Sequence, residues 1–149
     1  MEKGHRLMRY WLMKSEPDEF GWDHQQALGP AGGAWSGVRN YQARNNMRAM
    51  SVGDLVFFYH SNIGKEIVGI MRVIAPAAQD PTTDDPRWDC VSVTAVEKLP
   101  RPVTLDTIKA TPALADMALV KSSRLSVQPV ATDEWKLICR MGGLDRVQI

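Results

Sequence analysis

Apolar residues fall along this chain in short runs, punctuated by turn-forming residues, and the period of the pattern changes from run to run. Arg9-Tyr10-Trp11-Leu12-Met13 is a compact aromatic and aliphatic run that reads as a strand. Lys14-Ser15-Glu16-Pro17 ends it, because Pro17 holds Glu16 extended and has no N–H to give to a ladder. Over residues 18–28 the pattern shifts to helical spacing through Phe20, His24 and Ala27, with acids in the first turn where the helix dipole favours them. Trp22 is read there as packing. Gly29-Pro30-Ala31-Gly32-Gly33 is a flexible loop that delivers the chain to Trp35. The stretch from Gly33 to Arg48 begins loose around Trp35 and ends as a helix, with three arginines and no acid.

The second half reads as longer strands. Ser51-Val52-Gly53-Asp54 is a turn, and Leu55-Val56-Phe57-Phe58-Tyr59-His60 is so continuously apolar that it predicts a strand covered on both faces. Residues 61–65 make a hairpin connection to a partner strand over 66–74, with Gly69 at a bulge or close approach. Residues 76–86, with three prolines, read as an exposed loop. Residues 88–99 alternate clearly, Val91, Val93 and Ala95 against Ser92 and Thr94, and Pro100-Arg101-Pro102 is expected to break that strand. Thr104 caps a short helix to residue 109, 112–117 is another helical turn, 124–128 a closing strand, and Thr132 caps a last helix. In that helix Trp135, Ile138 and Cys139 form an apolar stripe, and Gly142-Gly143 stops it. Few strands with short helices between them predict an α+β fold, a small, partly closed mixed β-barrel with short flanking helices.

Length changes this picture little: 149 residues support one domain with a sizeable core. Residues 9–144 are expected to form it, with 1–8 a flexible leader and 145–149 a tail. No apolar run approaches the ~20 residues of a membrane helix, and nothing resembles a signal peptide, so a cytoplasmic protein without membrane contact is expected. Cys90 and Cys139 lack metal-ligand spacing and read as buried reduced thiols. His5, His24 and His60 are scattered, so neither a metal nor a cofactor is implied.

The net charge of +1 announces no polyanion partner by itself, so distribution matters more. Arg39, Arg44 and Arg48 stand without a neighbouring acid, and Lys121 with Arg124 makes a second small basic site. The acids gather elsewhere, at Glu16, Asp18, Glu19 and Asp23 and at Asp80, Asp84, Asp85 and Asp89. That separation suits either one basic face or an ordinary solvated surface.

Candidate chemistry is sparse. There is no phosphate-binding glycine loop and no nucleophile elbow. A small hydrolase using Lys14, Glu16 and His60 is the weakest reading, since these types occur in any chain this size. The more informative set is aromatic and basic. Trp35 between Gly33 and Gly37 is either a ring that plugs the core or a ring offered for stacking. Trp35, Tyr59 at a strand end and Arg124 at a strand start are placed to converge on one pocket, and Lys14 and Ser15 sit at another strand end, a usual place for ligand contacts or for a solvated end. Bases stack on such rings for ~1–3 kcal/mol each, and Arg39, Arg44, Arg48 and Lys121 would add salt-dependent phosphate contacts.

Four ordered blocks sharpen this reading: Tyr10-Trp11-Leu12-Met13-Lys14-Ser15-Glu16-Pro17; Trp35-Ser36-Gly37-Val38-Arg39-Asn40-Tyr41-Gln42-Ala43-Arg44-Asn45; Gly53-Asp54 with Phe57-Phe58-Tyr59-His60-Ser61; and Ser123-Arg124-Leu125-Ser126-Val127-Gln128-Pro129-Val130. Together they resemble the EVE domain family. The resemblance implies a PUA-like bent barrel related to YTH domains, and a non-catalytic module that reads a modified base, chiefly modified cytosine in DNA. It implies Trp35 in an aromatic cage, with Lys14, Ser15 and Ser36 lining it. Tyr59, His60, Ser61, Arg124 and Leu125 would form the opposite wall. It also implies a restriction or effector protein as partner, around a monomer. The alternative is RNA, which many PUA-like domains bind. The segment between Pro76 and Trp88 is shorter than in many relatives.

Overall fold

The computed structural model describes residues 9–145; the expected leader and the end of the expected tail lie outside them. Six strands form one sheet in the order β2-β5-β4-β3-β1-β6, where β1 is Tyr10–Ser15, β2 Gly33–Ala34, β3 Leu55–His60, β4 Glu66–Gln79, β5 Asp89–Thr104 and β6 Val127–Val130. β1 runs parallel to β3 and the other pairs are antiparallel. The helices are α1 Pro17–Phe20, α2 Trp22–Ala27, α3 Tyr41–Ala49, α4 Leu105–Lys109, α5 Ala118–Lys121 and α6 Thr132–Met141.

The central strands are apolar on both faces because both faces are covered. Tyr10, Leu12, Phe57 and Tyr59 point to one core, closed by Trp135 and Ile138 of α6. Their neighbours Trp11, Met13, Val56 and Phe58 point to a second core with Trp22, Trp35 and Met47. This is the two-residue period of a strand written twice. The sheet is open, with β2 and β6 at its ends, and α3 packs on both β5 and β6. Asn46 Nδ2 donates to the Val127 carbonyl at 2.7 Å, and Arg48 Nε reaches Asp89 at 2.8 Å. A helix therefore spans the gap that strand pairing leaves, which gives the partly closed barrel its form.

Several boundaries differ from the sequence pattern. The helix expected over 18–28 is two helices, because Gly21 sits extended (φ −93°, ψ −179°). Trp22 is buried as expected, and a Cβ on Gly69 would lie 2.5 Å from its ring, so Gly69 marks a close approach beside a register shift. β5 runs through Pro100 and Pro102 to Thr104 rather than breaking. Residues 99–102 have no partner in the register, so the prolines sit in an irregular stretch where no ladder donor is required. β4 likewise passes Pro76 between Ala75 and Ala78 at another shift, and the exposed loop is shorter than the 76–86 expected. The closing strand begins at Val127, not at Arg124, because Leu125 N–H turns back to the Ser122 carbonyl at 3.1 Å. Thr132 does not cap α6. Ala131 is the cap residue, and Glu134 Oε1 accepts its N–H at 2.9 Å. Cys90 and Cys139 are buried free thiols, and burial pushes the Cys90 thiol up to about 11. No group of His, Cys, Asp and Glu among the described residues is arranged to hold a metal, and no described helix is long and apolar enough to cross a membrane.

Candidate functional site

A cleft of about 620 Å³ opens where the C-terminal end of β1, the turn into α1 and the segment after β2 meet. Its volume falls in the ~300–1,000 Å³ range of small-molecule sites. Trp35 forms its aromatic floor. The chain enters as a two-residue strand, Trp35 N–H donates to the Val91 carbonyl at 2.9 Å, and Gly37 then turns with φ +87°, a conformation that favours glycine. Trp35 is 8% exposed, so both sequence readings apply to one ring. It belongs to the core through an edge-on contact with Phe58 (5.5 Å, 82°), and it also lines the cleft. Phe20 stands perpendicular to it, 6.2 Å away at 90°, so two rings make a corner.

Polar groups surround that corner. Lys14 Nζ donates to the Ser123 carbonyl at 2.7 Å and lies 5.9 Å from the Tyr59 ring centroid, and burial lowers its ammonium pKa. Ser15 Oγ donates to the Phe20 carbonyl at 2.6 Å, which leaves that oxygen free to accept. Ser61 N–H donates to the Ser15 carbonyl at 2.9 Å, drawing the β3 end alongside. Ser36, Ser61, Arg39 and Arg124 also line the cleft.

Of the residues singled out in the sequence, the fold thus brings Lys14, Ser15, Trp35, Ser36, Ser61 and Arg124 together. It does not bring Tyr59, His60 or Leu125 to the cleft lining. Tyr59 pairs in register with Lys14, and strand alternation sends its ring to the core opposite Trp35, where burial raises its pKa. His60 faces a neighbouring cleft, and its Nε2 accepts the Trp22 N–H at 3.1 Å. Burial lowers the His60 pKa against the opposing pull of Glu66 and Asp23. Leu125 packs half-buried against the core that contains Trp35.

The arginines are less isolated than the sequence spacing suggests. The β4–β5 connection carries Asp80 to Arg39 (3.0 Å), and β5 carries Asp89 to Arg48 (2.8 Å). Among the described residues Arg44 is ion-paired to no acid. It lies over the Tyr41 ring at 4.9 Å and donates to the Arg87 carbonyl at 2.9 Å. Lys121 sits outside the cleft, 3.5 Å from Asp116. Sequence reasoning missed Phe20, which it placed only by helical spacing, and Asp80, which it left in a solvated loop.

Asp80 is 1% exposed and ties the cleft together. It accepts the Gly37 N–H at 2.8 Å, the Thr82 N–H at 2.7 Å and the Thr82 hydroxyl at 2.6 Å, besides Arg39. Burial alone would raise its carboxyl, but these hydrogen bonds outweigh it and bring the pKa down to about 2 from 3.8. A carboxylate depressed in the folded state stabilises fully above its unfolded pKa, and that stability is lost as pH falls through the folded value. The melting temperature is therefore expected to fall between about pH 4 and pH 2. Asp80→Asn should start lower and fall less over that window, as read by thermal unfolding at each pH. Parallel curves would remove Asp80 as the source.

Comparison with known proteins meets this geometry. The EVE domain model matches residues 9–141. Mouse thymocyte nuclear protein 1 is 37% identical, over 91% of this chain and 74% of its own length. A crystal structure from Agrobacterium tumefaciens superposes with a TM-score of 0.91 at 54% identity, covering 94% of this chain and 97% of that one. The human THYN1 protein, solved in complex with 5-methylcytosine-containing DNA, superposes at 0.82 with 31% identity, covering 93% and 99%. A YTH domain of Zygosaccharomyces rouxii shares the fold alone, at a TM-score of 0.55 and 18% identity.

Proposed function

The chain belongs to the EVE domain family, and from that premise we propose that it is a non-catalytic nucleic-acid-binding module that takes a modified base, a modified cytosine in DNA, into the Trp35 cleft. The perpendicular corner of Trp35 and Phe20 carries this reading, because it sits at the polar strand end of Lys14 and Ser15 rather than sealed in the core. The relative solved with 5-methylcytosine DNA supports the choice of ligand.

The mechanism has three parts. The base leaves its stack, at a cost of a few kcal/mol, ~2–4. It then stacks on Trp35, which returns ~1–3 kcal/mol, while Arg44, with Arg39, Arg48 and Lys121, meets neighbouring phosphates. Lys14, Ser15 and Ser36 read the base edge, and a 5-methyl group fills apolar space beside the rings for roughly 1–3 kcal/mol, as methylenes do in other pockets. The Ser15 hydroxyl donates to a carbonyl and not to a base, which favours binding over nucleophilic chemistry. Output then passes through an effector partner.

The test is a fluorescence titration at fixed salt with matched DNA and RNA oligonucleotides carrying cytosine, 5-methylcytosine, 5-hydroxymethylcytosine or N6-methyladenine. A modified-cytosine DNA is expected to bind about tenfold tighter than its unmodified match. Equal weak binding to all of them, falling steeply with salt, would leave only phosphate contacts. Dependence on the 2′-hydroxyl would move the ligand to RNA.

A further inference from the structure

The cleft holds charges of both signs that do not neutralise one another. Lys14, Arg39 and Arg124 line it together with Glu16 and Glu19. Lys14 is engaged by the Ser123 carbonyl and Arg39 by Asp80. Among the described residues no cation is ion-paired to either glutamate, and the Glu16 carboxylate has only a long 3.5 Å contact from Asn62 Nδ2.

Glu16 is nonetheless well placed. Its backbone is extended ahead of Pro17 (φ −77°, ψ 124°), and its carbonyl accepts the N–H groups of Glu19 at 3.0 Å and Phe20 at 2.9 Å. The turn that sets Phe20 beside Trp35 therefore also sets Glu16 at the cleft.

Two carboxylates repel a phosphate. They suit a neutral ring whose edge carries donors and acceptors together. Cytosine presents an N4 amino donor beside the acceptors N3 and O2. Thymine and uracil present O4, an acceptor, where that amino group stands, and carboxylates accept from cytosine N4 while having nothing to give O4. Lys14 keeps two N–H groups beyond the one given to Ser123, and Arg124 keeps its fork, so donors for N3 and O2 are at hand.

We infer that Glu16, with Glu19 beside it, is the acceptor that makes this pocket select an amino-bearing base and reject thymine and uracil. The inference rests on the base-pocket reading above and assigns its selectivity. 5-Methylcytosine and thymine carry the same 5-methyl group and stack alike, so aromatic and methyl contacts cannot separate them. Only the edge can.

The experiment places cytosine, 5-methylcytosine, uracil or thymine opposite an abasic site in otherwise identical duplexes, which makes the loss of pairing the same for all four. Wild-type protein is expected to bind 5-methylcytosine at least tenfold tighter than thymine, and cytosine tighter than uracil by a similar factor. Glu16→Gln, whose amide can donate as well as accept, should shrink both ratios to within about twofold. Glu19→Gln should shrink them less. Both side chains are exposed, and Glu16, the cap residue of α1, makes no side-chain cap hydrogen bond, so the fold is not at stake. If wild type binds thymine and 5-methylcytosine equally while Trp35→Ala weakens both, the acceptor assignment falls and the base pocket stands. Discrimination that survives in the double Gln variant also overturns it. If Trp35→Ala changes nothing, the base pocket falls and the acceptor role with it.

Discussion

Trp35→Ala is expected to weaken binding of the preferred modified oligonucleotide roughly tenfold to a hundredfold, the ~1–3 kcal/mol of one base–aromatic stack. Binding of the unmodified match should fall less, so the preference collapses. The argument depends on the ring having two duties. Its edge-on contact to Phe58 is core packing, whereas the side that makes a corner with Phe20 lines the cleft and is available to a ligand. Removing it also costs stability, up to the ~3–5 kcal/mol of a fully buried aromatic. Binding is therefore to be measured where denaturant titration shows the variant folded, with Trp35→Phe alongside. Phenylalanine keeps a ring to stack on and should retain part of the preference. A folded Trp35→Ala protein that still prefers the modified base would refute the pocket.

Most of the fold was legible because two-residue alternation and turn chemistry are local. Leu55–His60, written apolar without a break, announced a strand with both faces covered, and the structure supplies a core on each side. Pro100 and Pro102 misled because a proline forbids a ladder donor only where a donor is needed. Whether residues 99–102 face a partner depends on the β4 register, which no local pattern encodes. The partly closed form was expected from the few strands and short helices, but what spans the gap was out of reach, since α3 bridges strands distant in sequence, for example through Asn46 to Val127.

The site was legible to the extent that a strand end implies a direction. Lys14 and Ser15 fell where the pattern placed them, yet Tyr59 did not join the lining: it shares the face of its partner Lys14, where its ring is buried in the core while the longer lysine side chain reaches the cleft. Phe20 was unreadable as a wall, since its position beside Trp35 follows from the break at Gly21 and the hydrogen bond from Ser15 to its carbonyl. Asp80 looked solvated among prolines and aspartates. Its burial comes from Gly37 and Arg39, forty-odd residues upstream. The same long-range pairing withdrew Arg39 and Arg48 from the set of free cations.

A second tryptophan gives the contrast that makes the first interpretable. Trp135 is fully buried, stacked on Phe57 at 3.8 Å and 17° and on Tyr10 at 4.7 Å and 22°, in the core on the opposite face of the sheet from Trp35. Trp135→Ala removes a whole indole from between two rings that strands β1 and β3 hold rigidly, so the space can close only partly. The expected cost is ~3–5 kcal/mol, a large share of the ~5–15 kcal/mol that holds a typical domain folded. The urea midpoint should fall by more than for any single substitution in the cleft, and the variant should lie near its unfolding transition at 37 °C. Its folded fraction, measured at low temperature, should keep the wild-type ratio of modified to unmodified binding, because no cleft contact has changed. Loss of that ratio in a folded Trp135→Ala protein would mean that base preference reports general loosening of the domain and not a ring in the pocket, and the Trp35 result would lose its meaning too.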